Sequence, residues 1–405
     1  FDIIAGFLRI IFCTKIIFAE IIEFVMNLGN LKGNFKGEFH DSKVMKTLYA
    51  TDASAYREMP LAVAFPVNNH DIEILIDFAL KNNITLIPRA AGTSLAGQVV
   101  GNGIIVDISR TYNEIIEINQ AQSWVRLQPG VVRDELNMSL KKHGLFFGPE
   151  TSTANRAMVG GMVGNNSCGS NSVIYGSARD HLMEVSGYLS DGSFVTFSDI
   201  TKEEFEKRIS EYKNKKDSDL SLEERLYLFT HNILSDPENQ AEIRREFPKR
   251  SIPRRNTGYA IDELLETEVF NLESKEKFNF CKLIAGSEGT LIFITELKLH
   301  VNQLPPRHQG VVAVHCNTVD ESLRANLIAL KYNPSAVELM DHYILECTKA
   351  NKQQMANRFF VKGDPGALLC VEISRDSKEE VEKLAAEMEP EMRKESLGYH
   401  FPVLF

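Results

Sequence analysis

The stretch from Gly148 to Gly176, GPETSTANRAMVGGMVGNNSCGSNSVIYG, constrains this chain more than any other. It holds six glycines, at 148, 160, 161, 164, 169 and 176, with serine and asparagine between them. Glu150 and Arg156 are its only charges. A solvated linker of this length would normally carry more Lys or Glu. The composition instead suits a wall lying close against a large flat ligand, and an ordinary Gly-rich linker is the plainer alternative.

Two further blocks of small residues flank it in the sequence. The first is Pro88-Arg89-Ala90-Ala91-Gly92-Thr93-Ser94-Leu95-Ala96-Gly97-Gln98, directly after the strand-like ITLIPR at 84–89. Ala and Gly there leave room for successive backbone N–H groups to converge on an anion. Thr93 and Ser94 add hydroxyls, and Arg89 adds a local positive charge. The other block, AGSEGT at 285–290, leads into the strand-like LIFITEL and reads by itself as a tight turn. The better-known nucleotide and hydrolase signatures are missing. No GxGxxG follows a strand, GNG at 101–103 lacks the third glycine, and neither GxxxxGK[ST], HExxH nor GxSxG occurs.

Charge narrows the ligand. A net charge of −10 disfavours a broad nucleic-acid surface, which needs a Lys/Arg surplus. A single nucleotide remains compatible, because backbone N–H groups and one local cation can hold its phosphates. The six cysteines form no CxxC and no zinc or iron–sulfur spacing, so reduced thiols are expected. The apolar run at 3–25 is broken by Arg9, Lys15, Glu20 and Glu23, which argues against a membrane span. It has no basic n-region or small-residue cleavage site. An interfacial helix, a packed helix, or sequence upstream of a natural start at Met26 are the readings left, the last being expected. The apolar ending HFPVLF suggests truncation. A cytoplasmic location, or one on the inner face of a membrane, follows from these features.

Between 60 and 300 the pattern is mixed α/β. DIEILIDFALKNN at 71–83 predicts a helix burying Ile72, Leu75, Ile76 and Ala79. EVSGYLSDGSFVTF predicts a hairpin turning at Asp191-Gly192. Residues 200–255 are charged and helical in pattern and read as an insertion on the surface. After Leu304-Pro305-Pro306 a second pattern begins, of order βαββα, which predicts a ferredoxin-like layer cut short at Phe405.

The words PRAAGTSLAGQ, QPGV, GPETST, GGMVGNNSCG, YGSARDH and GSEGT, in this order, resemble one known family. It is the FAD-binding vanillyl-alcohol oxidase and p-cresol methylhydroxylase (PCMH-type) family. The similarity is nearest to its branch of D-lactate dehydrogenases, D-2-hydroxyglutarate dehydrogenases and the glycolate oxidase flavin subunit. The fold class implied is α+β: a two-subdomain PCMH-type FAD-binding domain at 48–303, with the helical insertion at about 200–255. An incomplete ferredoxin-like substrate (cap) domain at 304–405 would follow, and 1–47 would be an extension whose first 25 residues stand outside the fold.

The resemblance also implies roles. Arg89, Ala91, Gly92, Thr93, Ser94 and Gln98 would bind the FAD pyrophosphate. Pro149, Thr153, Gly160, Gly161, Asn165, Ser167, Gly169, Tyr175 and Gly176 would line the flavin and adenosine halves. Glu288 and Gly289 would form the last cofactor turn, and Asn256 and Tyr259, in RRNTGY, would lie on the flavin or substrate side. Thr93 stands where members with covalent flavin carry His, so non-covalent FAD is expected.

The branch also has a metal-binding Gly-His…Asp-Gly-Asn…His motif. His308 and His315 share its spacing but enclose QGVVAV, so no metal site is expected there and satisfied or solvated histidines are. The catalytic residues should then lie beyond Phe405, and the chain as written should turn over poorly. Long bacterial members append an iron–sulfur domain, which makes clusters beyond Phe405 an expectation. The implied reaction moves a hydride from C2 of a D-2-hydroxy acid to flavin N5. Electrons then pass to a quinone, a cytochrome or an iron–sulfur protein. Oxidation of another alcohol or aldehyde, and a flavin-binding electron-transfer subunit without its own substrate site, are the alternatives.

Overall fold

Short apolar runs build the first layer. In the computed structural model of the protein, which describes residues 31, 34–252 and 254–405, these are β1 (Glu38–His40), β2 (Ala62–Phe65), β3 (Leu86–Arg89) and β4 (Ile104–Asp107). They align in the order β1-β2-β4-β3, with β2 and β3 parallel to β4 and β1 antiparallel to β2. Every residue of β2 and β4 is buried, as parallel strands covered on both faces require. The helix Asn69–Asn82 covers one face with Ile72, Leu75, Ile76 and Ala79, the predicted residues, together with Phe78. Asn68 caps it by accepting from the Asp71 amide. The buried Asp71 carboxylate accepts the amides of Lys36, Gly37 and Val67 at 2.9, 3.0 and 2.9 Å. The described residues before 48, expected as an extension, therefore contribute to this layer: Leu31 and Phe35 are in its core and β1 is its edge. The apolar run at 3–25 lies outside the described residues. Among the described residues no helix is long and apolar enough to cross a membrane.

The second layer is antiparallel. Strands β5 (Ile115–Asn119), β6 (Trp124–Leu127), β8 (Leu182–Tyr188), β9 (Phe194–Phe197) and β10 (Phe293–His300) run in the order β5-β6-β10-β8-β9. The two-residue β7 (Leu145–Phe146) lies outside that sheet. β8 and β9 form the predicted hairpin. Burial alternates along β10, so one face looks into the main core. Helices Lys202–Lys213, Leu222–Leu234 and Pro237–Glu246 form the charged segment. They are not a surface ornament as the charge pattern suggests. Phe205 and Leu234 are fully buried, and Phe205 packs on Phe278 with ring centroids 4.6 Å apart, while Tyr227 meets Phe280 at 4.9 Å. A few buried apolar positions, spaced among many Lys and Glu, anchor these helices to the core.

The third layer starts after β11 (Asn302–Gln303), which pairs with β7. Strands β12 (His308–Cys316), β13 (Ala336–Asp341), β14 (Ala367–Arg375) and β15 (Val403–Leu404) run in the order β13-β14-β12-β15, all antiparallel. Helices Val319–Ala329 and Lys378–Lys394 close one face through Ala325, Ile328, Val381, Ala385, Met388 and Met392. This is the ferredoxin-like βαββαβ arrangement with its fourth strand in place. β15 comes from HFPVLF and spans two residues, too few to show a strand period. Within the layer His315 is fully buried. Its Nδ1 pairs with the Ala313 carbonyl at 2.9 Å and its Nε2 accepts the Lys362 amide at 3.1 Å. That is a satisfied histidine, and His308 lies exposed at the strand's start.

Candidate cofactor cleft

Arg89 and Asp107 are neighbours at the carboxyl ends of the parallel strands β3 and β4. Ligands collect at that edge of a parallel sheet because the connecting loops open there. The loop after β3 turns at Gly92, whose φ of +62° side chains rarely adopt. Within the turn the amides of Ala91, Gly92, Thr93 and Ser94 donate to no acceptor among the described residues. A run of free N–H groups of this kind is what an anion needs. Arg89 is held beside them: its Nη1 donates to the Thr51 carbonyl at 3.1 Å and its guanidinium lies 4.9 Å from the Tyr49 ring centre. Tyr49 in turn donates to Asp107 at 2.6 Å. Burial and that carboxylate push the Tyr49 hydroxyl well above its usual range, so it stays a donor.

The second block forms the facing wall. Gln98 Nε2 donates to Asn165 Oδ1 at 3.0 Å, and Asn165 Nδ2 donates to Ser167 Oγ at 3.2 Å, which ties the first loop to this wall. The third block rests on it through the Gly286 amide on the Val163 carbonyl (3.0 Å) and the Glu288 amide on the Gly164 carbonyl (2.9 Å). Glu288 holds a φ of +54° without being glycine, a strained conformation that these contacts maintain. Between the blocks lies an open cleft with about 1170 Å³ of space, solvent included. It is large enough for a dinucleotide-sized ligand.

Thirteen of the residues singled out in the sequence converge on it: Arg89, Ala91, Gly92, Thr93, Ser94, Gln98, Thr153, Gly160, Gly161, Asn165, Ser167, Glu288 and Gly289. The others lie off it. Pro149 is buried, with its carbonyl accepting from Arg133 Nε at 3.3 Å. Gly169 packs against the Glu150 backbone. Tyr175 sits edge-on to Phe146 at 4.9 Å, and its carbonyl pairs with His181 Nε2 at 2.7 Å. Gly176 and Asn256 border a separate cavity, and the Tyr259 hydroxyl shares a 2.5 Å hydrogen bond with Thr290 Oγ1. Sequence reasoning missed the apolar lining, chiefly Ile108, Pro129, Met162 and Ile292 to Ile294. The signal was that the apolar strand LIFITEL follows the third block without a break.

Free amides, a local cation, small-residue walls and an apolar side suit a ligand with a diphosphate and a flat ring system. Residues 60–198 match the FAD binding domain family. That match indicates FAD binding. It is 32% identical to a D-2-hydroxyglutarate dehydrogenase of Haemophilus influenzae over 86% of this chain and 33% of that protein. The same-named protein of Escherichia coli K12 is 33% identical over 81% of this chain and 31% of its own length. The glycolate oxidase subunit GlcD of Bacillus subtilis is 29% identical over 39% of this chain and 34% of its own. The chain thus spans about a third of the length of these relatives. Among solved structures, alkyldihydroxyacetonephosphate synthase superposes with a TM-score of 0.59 at 16% identity, covering 93% of this chain and 60% of that one. BBE-like 1 of Physcomitrella patens gives 0.57 at 12% identity, with 93% and 61% covered. The expected mixed helix-and-strand (α+β) class is the one observed, and the fold is shared with these structures.

Proposed function

We propose that the protein oxidises a D-2-hydroxy acid of the D-lactate, D-2-hydroxyglutarate or glycolate type and passes the electrons to an acceptor other than NAD. What supports the reading is identity of about one third, along most of the chain, to proteins named D-2-hydroxyglutarate dehydrogenase, coinciding with a formed cofactor cleft. When bound, FAD supplies a two-electron acceptor at flavin N5. The chain's own residues position it. The amides of Ala91 to Ser94, with the Thr93 and Ser94 hydroxyls, hold the diphosphate beside Arg89. The Gln98–Asn165–Ser167 link fixes the distance between the walls, and Ile292 to Ile294 exclude water from one side. Thr93 offers no imidazole for a covalent flavin bond, so the cofactor is held non-covalently. In the reaction the C2–H leaves with its electron pair, the hydroxyl proton goes to a base, and a 2-oxo acid remains.

The layer of β12 to β15 packs against the short helix Ser172–Tyr175 through β13 and is proposed as the substrate cap. The test is anaerobic mixing of the FAD-loaded full-length protein with a panel of D- and L-2-hydroxy acids while the flavin absorbance is followed. Bleaching by a D-acid and not by its L-isomer is expected. Bleaching by dithionite but by no D-2-hydroxy acid would overturn the reading.

A further inference from the structure

Behind the cleft wall lies a second cavity of about 690 Å³ of open space. The segment from Asn165 to Cys168 separates the two: Asn165 and Ser167 border the cofactor cleft, and Cys168 borders this cavity. Four arginines line it, Arg179, Arg250, Arg254 and Arg255, against two carboxylates, Asp180 and Glu263. In a chain of net charge −10 that is a local reversal of sign. Like charges gathered in one cavity repel, and the arrangement is favourable only where anions offset them.

The carboxylates do not suffice. Glu263 is shared, at 3.5 Å from Arg250 and 2.5 Å from Arg255, and Arg255 also meets the buried Asp262. Those contacts explain Arg250 and Arg255 as pins between this loop and the helix Ile261–Leu265. Asp180 is occupied as a cap, accepting the Ser177 amide and hydroxyl at 2.7 and 2.9 Å. Arg179 is buried and directs its guanidinium to the carbonyls of Lys282, Gly258 and Ala285 at 2.9, 2.7 and 2.7 Å, so its charge has no carboxylate in contact. Arg254 is exposed and makes no ion pair among the described residues. Asn256 spends its amide N–H on the Cys168 sulfur at 3.5 Å, a weak acceptor that an oxygen ligand displaces readily.

We propose that this cavity binds a compact oxyanion, a small carboxylate or a phosphate. Arg254 and Arg250 bind it at the mouth, Asn256 donates from the side, and the Arg179 charge lies beneath. The planar guanidinium fork matches either group with paired N–H donors. The site is separate from the flavin cleft and does not depend on the hydroxy-acid reading.

The test is calorimetric titration of the FAD-loaded full chain at low ionic strength, first with inorganic phosphate and then with 2-oxoglutarate. Saturable binding of either, at one per chain, is expected, and which of the two binds more tightly identifies the source of the oxyanion. Arg254→Gln should weaken it at least tenfold with FAD content and melting temperature unchanged. Arg250→Gln should weaken it as well. The idea fails if neither probe binds, if both variants bind like the parent, or if binding occurs only after FAD is removed. Because the readout is heat rather than turnover, absence of D-2-hydroxy-acid oxidation would leave this result interpretable.

Discussion

Alanine at position 161 adds one methyl group to the cleft wall. A Cβ there would meet only the Ala90 Cβ, at 3.5 Å, which is ordinary van der Waals contact. Position 160 differs: its Cβ would lie 2.4 Å from the Pro129 Cβ and 2.9 Å from the Pro129 carbonyl oxygen. Both glycines lie in the helix Val159–Gly164 and border the cleft. Replacing Gly by Ala in a helix stabilises by about 0.5–1 kcal/mol when the site has room. Gly161→Ala should therefore leave the fold as stable as the parent or slightly more so. Gly160→Ala should lose about 1–3 kcal/mol to overpacking. The methyl of Gly161→Ala takes up space that the cofactor needs. One displaced methyl thickness in a close-packed contact costs about 1–3 kcal/mol, or roughly 5- to 150-fold in FAD affinity. Fluorescence quenching of FAD by the flavin-free variants gives the affinity, and thermal melts run in parallel give the stability. An unchanged FAD affinity and melting temperature in Gly161→Ala would remove this wall from the cofactor site.

Three further outcomes follow from the packing and the chemistry. Phe205→Ala should cost about 3–5 kcal/mol in urea unfolding, because the ring is fully buried among Tyr227, Phe270 and Phe278, whereas a loss below about 1 kcal/mol would return the charged helices to the surface. Burial, with some repulsion from His400, holds the His315 imidazole below the usual histidine range. Its folded pKa is thus lower than the unfolded value of about 6.5, so the stability it contributes is complete above that pH and is lost as pH falls through the folded pKa. The melting temperature should drop on acidification below about pH 6.5, and His315→Gln should flatten that part of the curve; an equal slope in both proteins would refute the assignment. After denaturation and filtration the yellow colour should pass with the filtrate, and colour retained with the protein would mean a covalent flavin.

How much the sequence disclosed depended on whether a function needs a recognisable residue type. Anion binding by backbone amides needs small residues in a run, so Ala91 to Ser94 and Gly160 to Asn165 stood out. Pro149, Gly169 and Tyr175 lie in the same stretch but off the cleft: the Pro149 carbonyl accepts from Arg133, a Cβ at Gly169 would clash with the Glu150 backbone, and Tyr175 packs edge-on to Phe146. Ile108 and Ile292 to Ile294 were illegible because a strand residue facing a ligand looks like one facing a core. The charged helices at 202–246 hid Phe205, Tyr227 and Leu234 among Lys and Glu. Strands β1 and β15 are three and two residues long, shorter than any period can show.

The central claim is that three sequence blocks form one FAD site, and titration of the flavin-free chain with FAD and with FMN tests it directly. One FAD per chain should bind, and FMN should bind at least tenfold more weakly, because FMN lacks the second phosphate and the adenosine that the amides of Ala91 to Ser94 and the facing wall are arranged to hold. No FAD binding, or equal affinity for FMN, would contradict the claim.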